Sequence, residues 1–64
     1  MKTADRIKCN RARLRLTQEQ LGEAIGVSRQ HVSKWETGSS SPSLAMLRRL
    51  AKALGCTPGE LVPE

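Results

Sequence analysis

The sequence predicts an all-α domain of five short helices, and three observations carry that expectation. Apolar residues recur at three- and four-residue spacing along most of the chain, which gathers them on one face of a helix. Cap residues punctuate the pattern: Thr17, Ser28, Ser43 and Thr57 stand where helices would begin, and Gly26, Gly38 and Gly55 where they would end. No stretch alternates apolar and polar residues as a half-buried strand would. With 64 residues the chain is expected to form one domain, spanning 1–64, with no room for a second, ligand-sensing one. Folding at this size buries only about 60% of the unfolded surface, so stability should be modest.

Helix 1 is expected over residues 4 to 15, with Ile7, Arg11 and Leu14 stacked on one side and Lys2, Arg6, Lys8, Arg13 and Arg15 around the others. An arginine on an apolar stripe either extends to water or pairs with a buried acid. Thr17 with Gln20 fits a capping box flanked by Leu16 and Leu21, so helix 2 starts at Thr17. Leu21, Ala24 and Ile25 share its inner face, and Gly26 suits a left-handed exit. Ser28 caps helix 3, with Val27 and Val32 as its hydrophobic staple and Val32 and Trp35 facing inward. Trp35, the single aromatic side chain of the Phe, Trp and Tyr class, could stack on a nucleobase, but its spacing from Val32 reads as core. Gly38 and Pro42 end helix 3 near Thr37.

A serine-rich loop leads to helix 4, capped by Ser43 or, with Pro42 at the first helical position, by Ser41. Leu44, Leu47, Leu50, Ala51 and Leu54 form its apolar face, and Gly55 closes it. Thr57 and Glu60 make a further capping box with Pro58 at the first helical position, starting a fifth helix through Leu61 and Val62. Cys56 is expected to pack on Leu61 as a small hydrophobe.

Residues 17 to 36 therefore read as two capped helices joined by a tight turn, a helix-turn-helix. The second presents Arg29, Gln30, Ser33 and Lys34 outward. Arginine grips guanine O6 and N7, glutamine grips adenine N6 and N7, and lysine and serine bond base edges or phosphates, so this face can read DNA. His31 lies at its flank, facing a phosphate or water.

The segments TQEQLGEAIGVS, RQHVSKWETG and SPSLAMLRRLAKALGCTPGELV resemble the helix-turn-helix domain of the phage lambda repressor and Cro type, the XRE family, over residues 5 to 62. The resemblance implies a lambda-repressor-like fold and a sequence-specific transcriptional regulator of double-stranded DNA, a repressor, that reads the major groove with helix 3. It assigns base edges to Ser28, Arg29, Gln30 and Lys34, with Ser33 a weaker candidate, and DNA backbone to Gln18. Thr17, His31, Thr37 and Ser39 are the further residues expected near phosphate. The family often places a buried ion pair where Arg11 and Glu36 stand. The chain departs from the pattern in the loop TGSSSPS, where relatives commonly carry lysine or arginine against phosphate. That departure keeps a second function open: a protein-interaction module, such as an antitoxin-like or co-regulator partner.

The 11 Lys and Arg against 6 Asp and Glu give a formal charge of +5, which favours a polyanionic partner. No apolar run of 18 or more residues and no leader pattern is present, and the basic residues spread over several short elements, so a membrane partner is not expected and a cytoplasmic location, nucleoid-associated when DNA-bound, is. One histidine and the isolated Cys9 and Cys56 suggest no metal, cofactor or disulfide framework. Glu19 and Glu23 read as a solvated face rather than a catalytic pair, and Arg48, Arg49 and Lys52 as a solubilising one. No nucleophile with a base and no phosphate-cradling loop points to an enzyme. One reading helix covers only a half-site, so two copies about one DNA turn, roughly 34 Å, apart on a palindromic operator are expected. Pro58, Leu61 and Val62 are the expected self-contact of a weak homodimer, strengthened on DNA.

Overall fold

The computed structural model describes residues 2–62. They form five α-helices, α1 (Thr3–Arg13), α2 (Gln18–Ile25), α3 (Arg29–Thr37), α4 (Leu44–Leu54) and α5 (Pro58–Leu61), and no strand among the described residues. The all-α expectation holds, and the helix boundaries follow the predicted caps with two exceptions.

The first exception is the end of α1, which stops at Arg13 rather than residue 15. Arg11 bends the chain back: its carbonyl accepts from the N–H groups of Leu14 and Leu16, and its guanidinium Nη1 donates to Leu16 O at 2.7 Å. Arg15 makes the reversal at φ 57°, the single non-glycine residue in the left-handed region among those described. Leu14, placed after the helix rather than on its inner stripe, is 43% exposed. The second exception is α5, which ends at Leu61 because Val62 is extended (φ −103°, ψ 125°).

At Thr17, Ser43 and Thr57 the local chemistry matches the sequence, whereas Ser28 makes no side-chain cap bond and Ala24, expected on the inner face of α2, is exposed. Thr17 and Gln20 close a reciprocal capping box, Gln20 N–H donating to Thr17 Oγ1 at 3.0 Å and Thr17 N–H to Gln20 Oε1 at 2.8 Å. Ser43 caps α4 by accepting from Met46 N–H at 3.2 Å. Glu60 takes the Thr57 N–H at 3.0 Å in front of α5. Gly26 and Gly38, both at φ 81°, end α2 and α3 in a conformation that would strain any side-chain-bearing residue.

The core is Ile7, Leu21, Ile25, Val32, Trp35, Leu50, Ala51, Leu54 and Leu61, with Val27, Met46, Leu47, Ala53 and Cys56 packed against it. Trp35 is therefore core, as its spacing indicates. Each fully buried large aliphatic side chain contributes about 1.5 to 3 kcal/mol, so all the helices share one small reservoir of stability. α2 lies between α3 and α4, while α1 crosses α3 and reaches α4 and α5. Leu44, on the predicted apolar face of α4, is the first residue of that helix and is 61% exposed. Burial pushes the Cys56 thiol up, aided by Glu60 and opposed by Arg13, which fits a small packed hydrophobe.

Candidate nucleic-acid interface

The turn between α2 and α3 is built around Gly22. Its carbonyl accepts the N–H groups of Gly26 and Val27, the latter at 2.9 Å. A Cβ at this position would stand 2.6 Å from Val27 O and 3.3 Å from Ser28 C. The turn can cross α2 at this height only because Gly22 has no side chain, and the height sets where α3 begins. Gly22 is a position of close backbone approach that the sequence expectations miss. A signal for it exists, since a glycine inside a helical pattern costs about 1 kcal/mol against alanine and commonly marks a close approach.

A polar network fixes the other end of α3. Arg11 Nε donates to Glu36 Oε2 at 2.6 Å and Nη2 to Glu36 Oε1 at 2.9 Å, a bidentate pair from α1 to α3. The Glu36 side chain is 3% exposed and that of Arg11 16%. The bond to Glu36 holds the guanidinium above its ordinary pKa, against the opposing effect of burial. Gln18 Nε2 donates to the same Oε1 at 3.3 Å, so the first residue of α2 joins the network. The start of α2 leaves the N–H groups of Gln18 and Glu19 without an intrahelical acceptor, at the end where the helix dipole favours an anion.

Between these two anchors α3 turns Val32, Trp35 and Glu36 inward and leaves Arg29, Gln30, His31 and Lys34 exposed, with Ser33 half-buried. Gln18, Arg29, Gln30, Ser33 and Lys34 line one shallow concavity, and Ser28 with Arg29 and Gln30 lines a second, beside Glu19, Glu23 and Val27. The expected base readers and the backbone residue Gln18 thus share one continuous surface. Ser28 occupies the cap position of α3, yet its hydroxyl makes no cap bond and sits 2.8 Å from His31 Nδ1.

Other expected contact residues are committed elsewhere. Thr17 Oγ1 accepts the cap bond from Gln20. Thr37 Oγ1 donates to Lys34 O at 3.2 Å and lies 2.9 Å from Ser39 Oγ, which also reaches Lys34 O at 3.5 Å. The hydroxyls of Thr37, the last residue of α3, and of Ser39 in the loop therefore turn toward the Lys34 carbonyl, and each must rotate to donate to a phosphate. The expected self-contact needs correction: Leu61 is 0% exposed, because α5 inserts it into the core, so it cannot meet a second copy. Pro58 is half-buried and Val62 exposed. Arg49 is more than a solubilising charge, since its Nη1 donates to Ile25 O at 3.4 Å and clasps α4 to the end of α2.

Among the described residues no group of three His, Cys, Asp or Glu side chains is placed to hold a metal ion, and no helix is long and apolar enough to cross a membrane.

Residues 7–61 match the family described as helix-turn-helix. Repressor protein C2 of Salmonella phage P22 is 38% identical over 58 residues, covering 91% of this chain and 27% of that protein, so the chain spans well under half of this relative. The crystal structure of the P22 c2 repressor in complex with a synthetic operator superposes with a TM-score of 0.93 at 35% identity, over 97% of this chain and 94% of that one. An uncharacterized HTH-type transcriptional regulator of Methanothermobacter thermautotrophicus is 49% identical over 49 residues, 77% of this chain and 71% of that protein. The fold also occurs inside a larger protein, the hydroxypropylphosphonic acid epoxidase from S. wedmorenis, with a TM-score of 0.86 at 29% identity, over 95% of this chain and 32% of that one.

Proposed function

The chain belongs to the XRE-type helix-turn-helix family, and from that membership we propose that it is a sequence-specific transcriptional regulator, acting as a repressor, that reads the major groove of double-stranded DNA with α3. The observation that carries the proposal is the continuous polar surface formed by Gln18, Ser28, Arg29, Gln30, Ser33 and Lys34. It stands on a helix whose position is fixed at one end by Gly22 and at the other by Arg11, Glu36 and Gln18. The operator complex of the similar P22 repressor supports DNA as the partner. The regulators among its relatives support a non-enzymatic role, for which a cytoplasmic location is the natural setting.

In this reading Ser28, Arg29, Gln30, Ser33 and Lys34 meet base edges, while Gln18 and the start of α2 meet the backbone, with His31, Thr17, Thr37 and Ser39 flanking. A single α3 covers a half-site, so the domain works as a weak homodimer on a palindromic operator, 1–64 forming its DNA-reading unit. Pro58 and Val62, without Leu61, remain to its self-contact. The inward-turned hydroxyls of Thr37 and Ser39 leave few phosphate clamps in the loop, which makes the α2 start the main backbone contact.

The proposal is tested by comparing variants on the best site and on random duplex. Arg29→Ala and Gln30→Ala are each expected to lose about 1 to 3 kcal/mol on the best site and to relax discrimination at one or two base pairs. Gln18→Ala is expected to weaken binding to all sequences while keeping the preferred site. An unchanged selected motif in both α3 variants would place the reading surface elsewhere.

A further inference from the structure

We infer that His31 fixes the hydrogen-bonding sense of Ser28 and thereby decides which bases Ser28 takes. The inference rests on the DNA-reading role of α3 and adds a positioning residue to it. Ser28 is extended at the cap position (φ −77°, ψ 161°), where a serine ordinarily gives its side-chain oxygen to a backbone N–H one turn on. Here the His31 N–H goes instead to the Ser28 carbonyl at 3.2 Å, and the hydroxyl is left to the imidazole, 2.8 Å from Nδ1.

The ring is held from its other side as well. Its centroid lies 6.2 Å from that of Trp35, tilted by 56°, and Trp35 is anchored in the core at 5% exposure. His31 is therefore bracketed by Ser28 one turn before it and Trp35 one turn after, with Nε2 on the far side of the ring from Ser28.

A neutral imidazole has one N–H donor and one acceptor. A phosphate oxygen accepts only, so a ring whose Nε2 meets the DNA backbone carries its proton there. Nδ1 then accepts, the Ser28 hydroxyl hydrogen points into the ring, and Oγ offers the base only lone pairs. In the major groove the base donors are adenine N6 and cytosine N4, whereas guanine O6 and N7 and thymine O4 accept. Ser28 thus selects adenine or cytosine at its position. Without His31 the hydroxyl rotates and serves either sense.

Two measurements test this. In the complex with duplex DNA, a long-range ¹H–¹⁵N spectrum is expected to show His31 protonated at Nε2 and bare at Nδ1; a proton on Nδ1 would overturn the inference. Binding-site selection is then run with the parent, Ser28→Ala and His31→Ala. The position whose preference disappears in Ser28→Ala is expected to be adenine or cytosine in the parent, preferred about ten-fold. In His31→Ala that preference falls to within about two-fold, while the Arg29 and Gln30 positions keep theirs. A guanine or thymine at that position, no position lost in Ser28→Ala, or a preference untouched in His31→Ala would each refute the role of His31. Absence of any DNA binding by the parent would instead overturn the functional reading on which the inference rests.

Discussion

Truncating Glu36 to alanine is expected to lower the stability of the domain by about 3 to 5 kcal/mol, close to everything a core of this size supplies. The change removes both carboxylate acceptors of a mostly buried guanidinium, which among the described residues keeps its bond to the Leu16 carbonyl. It also releases Gln18 at the start of α2. Thermal unfolding should shift down by more than about 15 °C. A double variant, Arg11→Met with Glu36→Leu, should regain most of the loss, since a buried pair replaced by apolar groups of similar volume no longer strands a charge. That double variant should still bind DNA more weakly on all sequences, because Gln18 has lost its partner. A Glu36→Ala protein melting within a few degrees of the parent would mean that Arg11 is satisfied by water and the network contributes little.

Gly22→Ala should also be strongly disruptive, although two opposing effects meet there. Alanine favours a helix interior over glycine by about 1 kcal/mol. Against that, the new methyl would sit 2.6 Å from a backbone carbonyl, where no rotamer change gives relief and the turn itself must move. Overpacking of this kind costs about 1 to 3 kcal/mol, and it outweighs the gain in helix propensity because the obstacle is main chain. The displacement falls on Val27 and Ser28, directly ahead of the residues proposed to read bases, so specific DNA affinity should drop at least about ten-fold even for the folded fraction. Gly59→Ala is the matched control: its Cβ meets nothing nearer than Thr57 Oγ1 at 4.0 Å, and its stability should equal or slightly exceed the parent's. Equal behaviour of the two variants in urea unfolding would show that the approach at Gly22 is relieved without cost.

Glu36 and Gly22 differ in how far the sequence reveals them. Caps and periodicity are local, so Thr17 with Gln20, Ser43, Gly26, Gly38 and Gly55 can be read in order, and the inward set Leu21, Ile25, Val32, Trp35, Leu50 and Leu54 follows. The pairing of Arg11 with Glu36 is legible in two steps, since a charge on an apolar stripe demands water or a partner and the family resemblance supplies Glu36 as that partner. The failures are tertiary. Leu14 and Leu44 have the spacing of core residues, but Leu14 falls just beyond the end of α1 and Leu44 is the first residue of α4, and both are exposed. Leu61, in contrast, ends a very short helix, and it is buried because α1 and α4 meet there. Gly22 matters through a carbonyl five residues ahead, a distance that spacing alone does not reveal. The bond between Ser28 and His31 is hidden by the stronger expectation that a cap serine bonds the backbone.

Whether α3 reads base edges in duplex DNA is settled most directly by selection from a random double-stranded pool at about 0.15 M salt. A base-reading α3 should enrich a short motif arranged as an inverted repeat, its half-sites about one turn, roughly 34 Å, apart, over weaker binding to random duplex that falls with added salt. No enrichment, together with no binding to duplex DNA even at low salt, would contradict that role and turn the same polar surface into a site for a protein partner.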